Sequence, residues 1–134
     1  MGCQEYDWQW TFQSPDDIRV IEEQARAKDQ HVFIFYKWLF DGPSSRMEWD
    51  VLSAPEIKSQ FQDTVNVLID KESGRPYVEY VGKYGVTSYP AVIIVAPDGT
   101  YEKQLGFVPK EQFLEFIAKA KKPAPAKPKP EPKP

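Results

Sequence analysis

The residues best suited to chemistry lie in the short stretch Asp41-Gly42-Pro43-Ser44, which follows an apolar run and precedes a helical pattern. A carboxylate and a hydroxyl suit acid–base or nucleophilic catalysis when a histidine activates the hydroxyl. The sole histidine, His31, stands at the start of the apolar run and is not available to Ser44. A helix N-terminus would stabilise charged Asp41, which makes it a weak general base. The stretch therefore argues against a hydrolase triad.

Metal and disulfide chemistry also lack the residues that they need. A metal site requires several converging ligands, so a lone His31 is expected to be structural. Cys3 is the chain's single cysteine, so no intramolecular disulfide forms. We expect no metal and no cofactor. The Gly2–Cys3 pair suits the junction at which a bacterial lipoprotein is cleaved and lipidated, while an incidental exposed cysteine is the open alternative.

Composition predicts one folded domain with a Lys/Pro-rich tail. The 134 residues are 41% hydrophobic and 14% aromatic, which is sufficient for a core. We divide the chain into an N-terminal segment, a domain and a tail, at residues 1–7, 8–120 and 121–134. The tail holds no large apolar residue, so it is predicted to be disordered or polyproline II-like.

Charge excludes one class of partner. The tail's five lysines and one glutamate give +4, so residues 1–120 carry −7 of the chain's net −3. An acidic domain argues against nucleic-acid binding. The basic tail is interpreted either as a solvated spacer or as a contact for an acidic surface. No apolar run is long enough for a transmembrane helix.

Hydrophobic periodicity predicts the element order β-α-β-α-β-α-β-β-α. Alternating aromatics around Trp8–Phe12 indicate a half-buried first strand, and Ser14 is expected to cap the helix that follows. Pro55 should kink or restart the helix after Ser44, and Ser44 or Ser45 should be its N-cap. The continuous apolar run "HVFIFYKW" predicts a strand covered on both faces. The fold class is therefore α/β, with a mixed central sheet flanked by helices on both faces.

This order and its motifs resemble the thioredoxin superfamily over nearly all of residues 8–120. The stretch "DGPSSRME" stands where the family has Cys-Gly-Pro-Cys and a helix. The stretch "VLSAPEIKSQFQDTVNVLID" is similar to the active-site helix, its kink and the next strand of the group that includes the DsbD C-terminal domain. The stretch "YGVTSYPAVIIVAPDG" is similar to the segment around the family's cis-proline.

The resemblance implies a site whose reactive groups are replaced. Pro90 matches the cis-proline, which in the family leaves the preceding backbone free to pair with an extended peptide. Asp41 and Ser44 replace the two cysteines, and neither side chain can form a mixed disulfide. Phe35 occupies the place of a buried acidic residue that handles a proton in redox-active members. We therefore expect no dithiol oxidoreductase activity.

These features favour a redox-inactive module for protein binding or assembly, as a lipoprotein subunit of a bacterial envelope complex. A cytoplasmic location stays open. Two other functions also stay open: a glutathione- or thiol-dependent enzyme that uses Ser44, and a chaperone-like holdase. The residues predicted to contact a protein partner are Trp38, Phe40, Asp41, Gly42, Pro43, Ser44, Tyr89 and Pro90, and the predicted lipid attachment site is Cys3.

Overall fold

A computed structural model describes residues 8, 10–13, 15, 17–38, 42–73 and 82–121. Several predicted features lie outside these residues: Cys3, Ser14, Phe40, Asp41, the first part of the third helix in the predicted order, which the stretch "YVEYVGKYG" indicates, and the tail from residue 122 onward.

The centre of the fold is a mixed five-stranded sheet. Its strands are β1 (Phe12–Gln13), β2 (Val32–Lys37), β3 (Val65–Asp70), β4 (Ala91–Val95) and β5 (Tyr101–Leu105). Their order across the sheet is β1-β3-β2-β4-β5. The strands β1, β3 and β2 are parallel, β4 is antiparallel to β2, and β5 is antiparallel to β4. The predicted mixed sheet is thus confirmed: helical connections join the parallel strands β1, β2 and β3, and β4 and β5 form the hairpin at the other edge of the sheet.

Helices connect and cover the strands. They are α1 (Ile18–Ala27), α2 (Gly42–Arg46) with a π-helical continuation (Met47–Leu52), α3 (Pro55–Lys58) with a 3-10 turn (Ser59–Phe61), a 3-10 turn (Lys71–Ser73) and α4 (Lys110–Lys121). Pro55 opens α3, as predicted, because a proline lacks the N–H that would continue the preceding helix but fits a first turn. The short helical stretch at 82–84 ends before Gly85, whose φ of +64° is the left-handed conformation that glycine adopts readily.

Two hydrophobic clusters lie on opposite faces of the sheet. On one face, Ile18 and Ile21 of α1 pack with Ile34 and Tyr36 of β2. On the other face, Phe33 and Phe35 of β2 pack with side chains of the π-helical turn, α3 and α4. Because β2 is buried on both faces, it has the continuous apolar run that the sequence shows.

The N-terminal part differs from its prediction in two ways. Asp17 caps α1 by accepting a hydrogen bond from the Arg19 backbone N–H, so the helix begins later than a Ser14 cap would require. Among the described residues before α1, only Phe12 and Gln13 join the sheet, and period-two alternation holds only within a strand. Phe12 therefore packs on the α1 face, whereas Trp8 and Trp10 pack on the opposite face.

Within the described part of the chain, no helix has the length and apolar character required to cross a bilayer.

Candidate functional site

Strand register brings three separate segments to one end of the sheet. Lys37 at the end of β2 is the partner of Asp70 at the end of β3, and Tyr36 is the partner of Ala91 at the start of β4. The residues just beyond these strand ends must therefore be neighbours. They are Trp38 after β2, Lys71 after β3, and Tyr89 and Pro90 before β4.

Trp38, Lys71 and Tyr89 form a compact group that we call the Trp38 cluster. The Trp38 and Tyr89 rings meet edge to face, with centroids 6.3 Å apart and planes at 63°. The Lys71 Nζ lies 3.8 Å from the Trp38 ring centroid and 5.6 Å from the Tyr89 centroid. A cation over aromatic faces is stabilised by about 0.5–1 kcal/mol at an exposed site. All three side chains are half-buried, so the cluster is ordered by its own contacts and still reaches the surface.

The Tyr89–Pro90 peptide bond beside this cluster is cis. Pro90 is buried, and its carbonyl accepts a hydrogen bond from Gly106 N–H at 2.7 Å. Gly106 has a φ of +83°, a conformation that few other residues adopt, so a glycine suits this contact. Burial raises the pKa of the Tyr89 phenol above its usual value of 10.0, which keeps the hydroxyl protonated at neutral pH.

The start of α2 contributes both exposed and buried residues. Gly42 and Pro43 are exposed, whereas Ser44 is only 2% exposed and its Oγ accepts a hydrogen bond from Trp38 N–H at 3.3 Å. The N-cap prediction for Ser44 and Ser45 is wrong, because the helix already begins at Gly42 and both serines lie within it. Ser44 instead ties α2 to the chain segment that carries the Trp38 cluster.

A largely buried ion pair lies behind the same segment. The Lys37 Nζ is 2.9 Å from Glu48 Oε2, and the two side chains are only 18% and 10% exposed. Lys37 is two residues after Phe35, so the alternation of β2 directs it toward α2 and its π-helical continuation. Sequence reasoning missed this pair and missed Lys71. The alternation along β2 was a usable signal for Lys37, whereas the position of Lys71 depends on register between strands.

The described residues contain no arrangement for hydrolytic or metal chemistry. No group of three or more His, Cys, Asp or Glu side chains within that part of the chain is placed to hold a metal ion. His31 precedes β2 and Ser44 follows it, so these residues lie at opposite ends of a six-residue strand, about 20 Å apart. The His31 backbone carbonyl accepts a hydrogen bond from Val65 N–H, and the structural role of its imidazole stays a prediction.

Of the predicted site residues, the structure brings together Trp38, Ser44, Tyr89 and Pro90 through the contacts above. Gly42 and Pro43 lie at the start of the same helix as Ser44. Phe40, Asp41 and Cys3 lie outside the described residues.

Comparisons with known proteins find similarity at the level of structure. No family model and no curated protein sequence matches the chain. The oxidised C-terminal domain of DsbD from Neisseria meningitidis aligns with a TM-score of 0.66 at 21% identity, over 77% of this chain and 92% of that domain. DsbH oxidoreductase aligns with a TM-score of 0.64 at 14% identity, over 84% of this chain and 83% of its own.

A thioredoxin from Thermus thermophilus aligns with a TM-score of 0.62 at 20% identity, over 72% of this chain and 78% of its own. Identities this low carry information about the fold and not about activity. The chain therefore has a thioredoxin-like α/β fold, and the fold that its motifs indicate is confirmed.

Proposed function

We propose that this chain is a redox-inactive thioredoxin-like module that binds a protein partner through the Trp38 cluster and the adjacent start of α2. The observation that carries the proposal is a partly exposed aromatic–lysine surface at a position where the chain has no cysteine. Asp41 and Ser44 stand in place of the family's cysteine pair, and the sole cysteine, Cys3, is far away in sequence.

The chain is expected to be redox-inactive because thiol–disulfide exchange requires a thiolate nucleophile and a resolving thiol. DsbH is an oxidoreductase, and the DsbD C-terminal domain is known in oxidised and reduced forms. This chain shares their fold but supplies no sulfur at the corresponding turn. The buried Phe35 has no group that transfers a proton, which agrees with a site released from redox chemistry.

The surface itself suits protein contact. Tryptophan and tyrosine are enriched among the residues that contribute most to protein interfaces. Trp38 and Tyr89 present such groups, Lys71 packs over the Trp38 ring, and the Ser44 and Gly106 hydrogen bonds hold the backbone on both sides. Gly42 and Pro43 at the start of α2, and Thr87 and Ser88 just before Tyr89, are exposed residues with short side chains, which favours close approach of a partner.

The first test is a redox assay. Purified full-length protein should not accelerate the reduction of insulin disulfides by dithiothreitol, and the Cys3→Ser variant should behave identically. Acceleration above the protein-free rate would overturn the redox-inactive part of the proposal, and its loss in Cys3→Ser would identify the responsible thiol.

The second test maps the binding surface. Affinity purification from native membranes with the full chain should recover a defined partner, and Trp38→Ala and Lys71→Ala should each reduce recovery at least tenfold. Trp49→Ala is a matched control, because Trp49 is 53% exposed on the outer side of the π-helical turn. Equal recovery with Trp38→Ala and wild type would contradict the proposed surface.

We also propose an envelope location with a lipid on Cys3. The Gly2–Cys3 pair supports this part, and it is independent of the binding surface. Mass spectrometry of the N-terminal peptide from native membranes should detect an acylated cysteine. An unmodified Cys3 on protein from that source would refute the anchor and leave the binding proposal intact.

The enzymatic alternative has less support from the site geometry. Ser44 would have to present its hydroxyl to a bound thiol, but the side chain is buried and its Oγ accepts from Trp38 N–H. Calorimetry with glutathione separates the two functions, because the alternative requires binding that Ser44→Ala abolishes.

A further inference from the structure

A groove of about 610 Å³ lies at the opposite end of the sheet from the Trp38 cluster. Trp8, Trp10 and Phe61 form its aromatic side, and Lys58 and Gln62 contribute long polar side chains. Thr64 and Asn66, at the start of β3, also line it. None of these residues takes part in the proposed binding site, so the groove requires a separate explanation.

The aromatic wall of the groove is held rigidly. The Trp8 and Trp10 rings stack with centroids 5.1 Å apart, and Trp8 is 5.4 Å from Phe61. The Trp8 indole N–H donates to the Leu52 carbonyl at 2.6 Å. Trp10 also stacks on Phe33 of β2 at 6.1 Å. The wall is therefore formed before any ligand binds, which lowers the entropic cost of binding.

The described chain ends beside this groove. Lys121, the last described residue, donates from Nζ to the Gln60 carbonyl at 2.6 Å. The same Nζ is 3.7 Å from Asp63 and 5.8 Å from the Phe61 ring centroid. Phe61 lines the groove and Gln60 is its chain neighbour, so the side chain of the last described residue contacts the turn that borders the groove.

The sequence that follows suits an aromatic groove. Residues 123–134 contain six prolines, including a Pro-x-x-Pro spacing at Pro125 and Pro128. Polyproline II has three residues per turn, so a segment in that conformation would present these two rings on one edge. Segments of this type bind in aromatic grooves because they are already extended and lose little entropy. Four residues of polyproline II span about 12 Å, which allows Pro125 to reach the groove from Lys121.

We propose that residues 122–134 of the Lys/Pro-rich tail occupy the groove in the same molecule, with Pro125 and Pro128 packed on Trp8 and Trp10. The carbonyls of a polyproline II segment have no internal partners, and the Lys58 ammonium and Gln62 amide supply N–H donors at the groove. Asp63, 85% exposed beside Lys121, provides a negative charge near the tail's lysines.

Nuclear magnetic resonance of the full chain tests the proposal. Backbone order parameters of Ala126 and Lys127 should be near the rigid value of about 0.85, whereas a free tail has values below about 0.6. The double variant Pro125→Ser with Pro128→Ser should release these residues and shift the Trp10 indole signal. The Trp38 indole should not move, because Trp38 lies at the other end of the sheet.

A second double variant, Pro132→Ser with Pro134→Ser, is the matched control and should leave the order of residues 124–129 unchanged. Order parameters below 0.6 in the wild-type tail, or equal effects of the two double variants, would overturn the proposal. A dependence of the Trp10 signals on protein concentration would also overturn it, because that result indicates a second copy of the chain in the groove. Cross-peaks from Trp10 to residues 1–7 and not to the tail would overturn it as well.

Discussion

The ion pair between Lys37 and Glu48 gives the sharpest test of how the site is held together. It joins the end of β2 to the π-helical turn after α2, directly behind the segment that carries Trp38. The substitution Lys37→Met removes the charge and keeps most of the side chain's volume. It leaves the Glu48 carboxylate, 10% exposed in the intact pair, without its cationic partner.

The size of the effect follows from burial. Exposed ion pairs contribute about 0–1 kcal/mol, because water screens both charges. Removing one partner of a buried pair costs about 3–5 kcal/mol, since the remaining charge has lost both water and partner. Lys37 keeps some contact with solvent, at 18% exposure, so we expect a loss near the lower limit, about 3 kcal/mol. That loss is a large part of the roughly 5–15 kcal/mol that stabilises a typical domain.

Urea denaturation followed by tryptophan fluorescence measures this loss. With a slope of about 1.5 kcal/mol per M, the midpoint should fall by about 2 M while the slope stays constant. Lys119→Met is the control, because Lys119 and Glu102 form a longer pair of 3.6 Å with side chains 71% and 43% exposed. The control should lose less than about 1 kcal/mol.

The double variant Lys37→Met with Glu48→Leu completes the test. Replacing both charges with apolar side chains avoids an unpaired charge, so its stability should return to the wild-type value or exceed it. The reasoning is refuted if Lys37→Met loses no more than Lys119→Met. It is equally refuted if the double variant is no more stable than Lys37→Met.

Two further predictions concern other parts of the domain. Burial, and then the nearby charge of Lys121, lower the pKa of His31 below its usual 6.5, so the unfolded chain binds the proton more readily. Stability should therefore be complete above pH 6.5 and should fall as the pH decreases toward the folded-state pKa, and urea denaturation of His31→Gln should lack this dependence. Gly85→Ala should cost about 1–2 kcal/mol, because φ at this position is +64°. An added Cβ would also lie 2.9 Å from Lys103 Nζ, and this contact is the same for alanine and asparagine. Because asparagine tolerates a positive φ better, Gly85→Asn should lose less stability than Gly85→Ala in thermal denaturation. Equal losses would contradict the conformational explanation.

The sequence predicted the elements whose signals are local. The run "HVFIFYKW" was identified as a doubly covered strand because its residues from Val32 to Tyr36 are all apolar or aromatic. Pro55 was identified as a helix restart because its ring excludes one backbone hydrogen bond. The first strand was predicted too long, because alternating aromatics suggest a strand wherever they occur, whereas only ladder contacts with β3 show where it ends.

The candidate site was predicted in part, and the division has a physical basis. Trp38, Tyr89 and Pro90 were found through motif order along the chain. Lys71 was missed, because nothing near it in sequence indicates that β3 places it over the Trp38 ring. The N-cap assignment of Ser44 was wrong. A serine near a predicted helix start is a favourable N-cap residue, and only the observed start of the helix at Gly42 excludes this role.

The sequence by itself determined the element order, the acidic charge of the domain and the presence of Asp41 and Ser44, and of no cysteine, at the turn before α2. These features depend on residue types and their spacing along the chain. Only the tertiary structure decided which side chains meet: Lys71 with Trp38, Lys37 with Glu48, and Lys121 with the turn that borders the aromatic groove. Such contacts depend on strand register and helix packing, which are set by burial across the whole domain and not by any one segment.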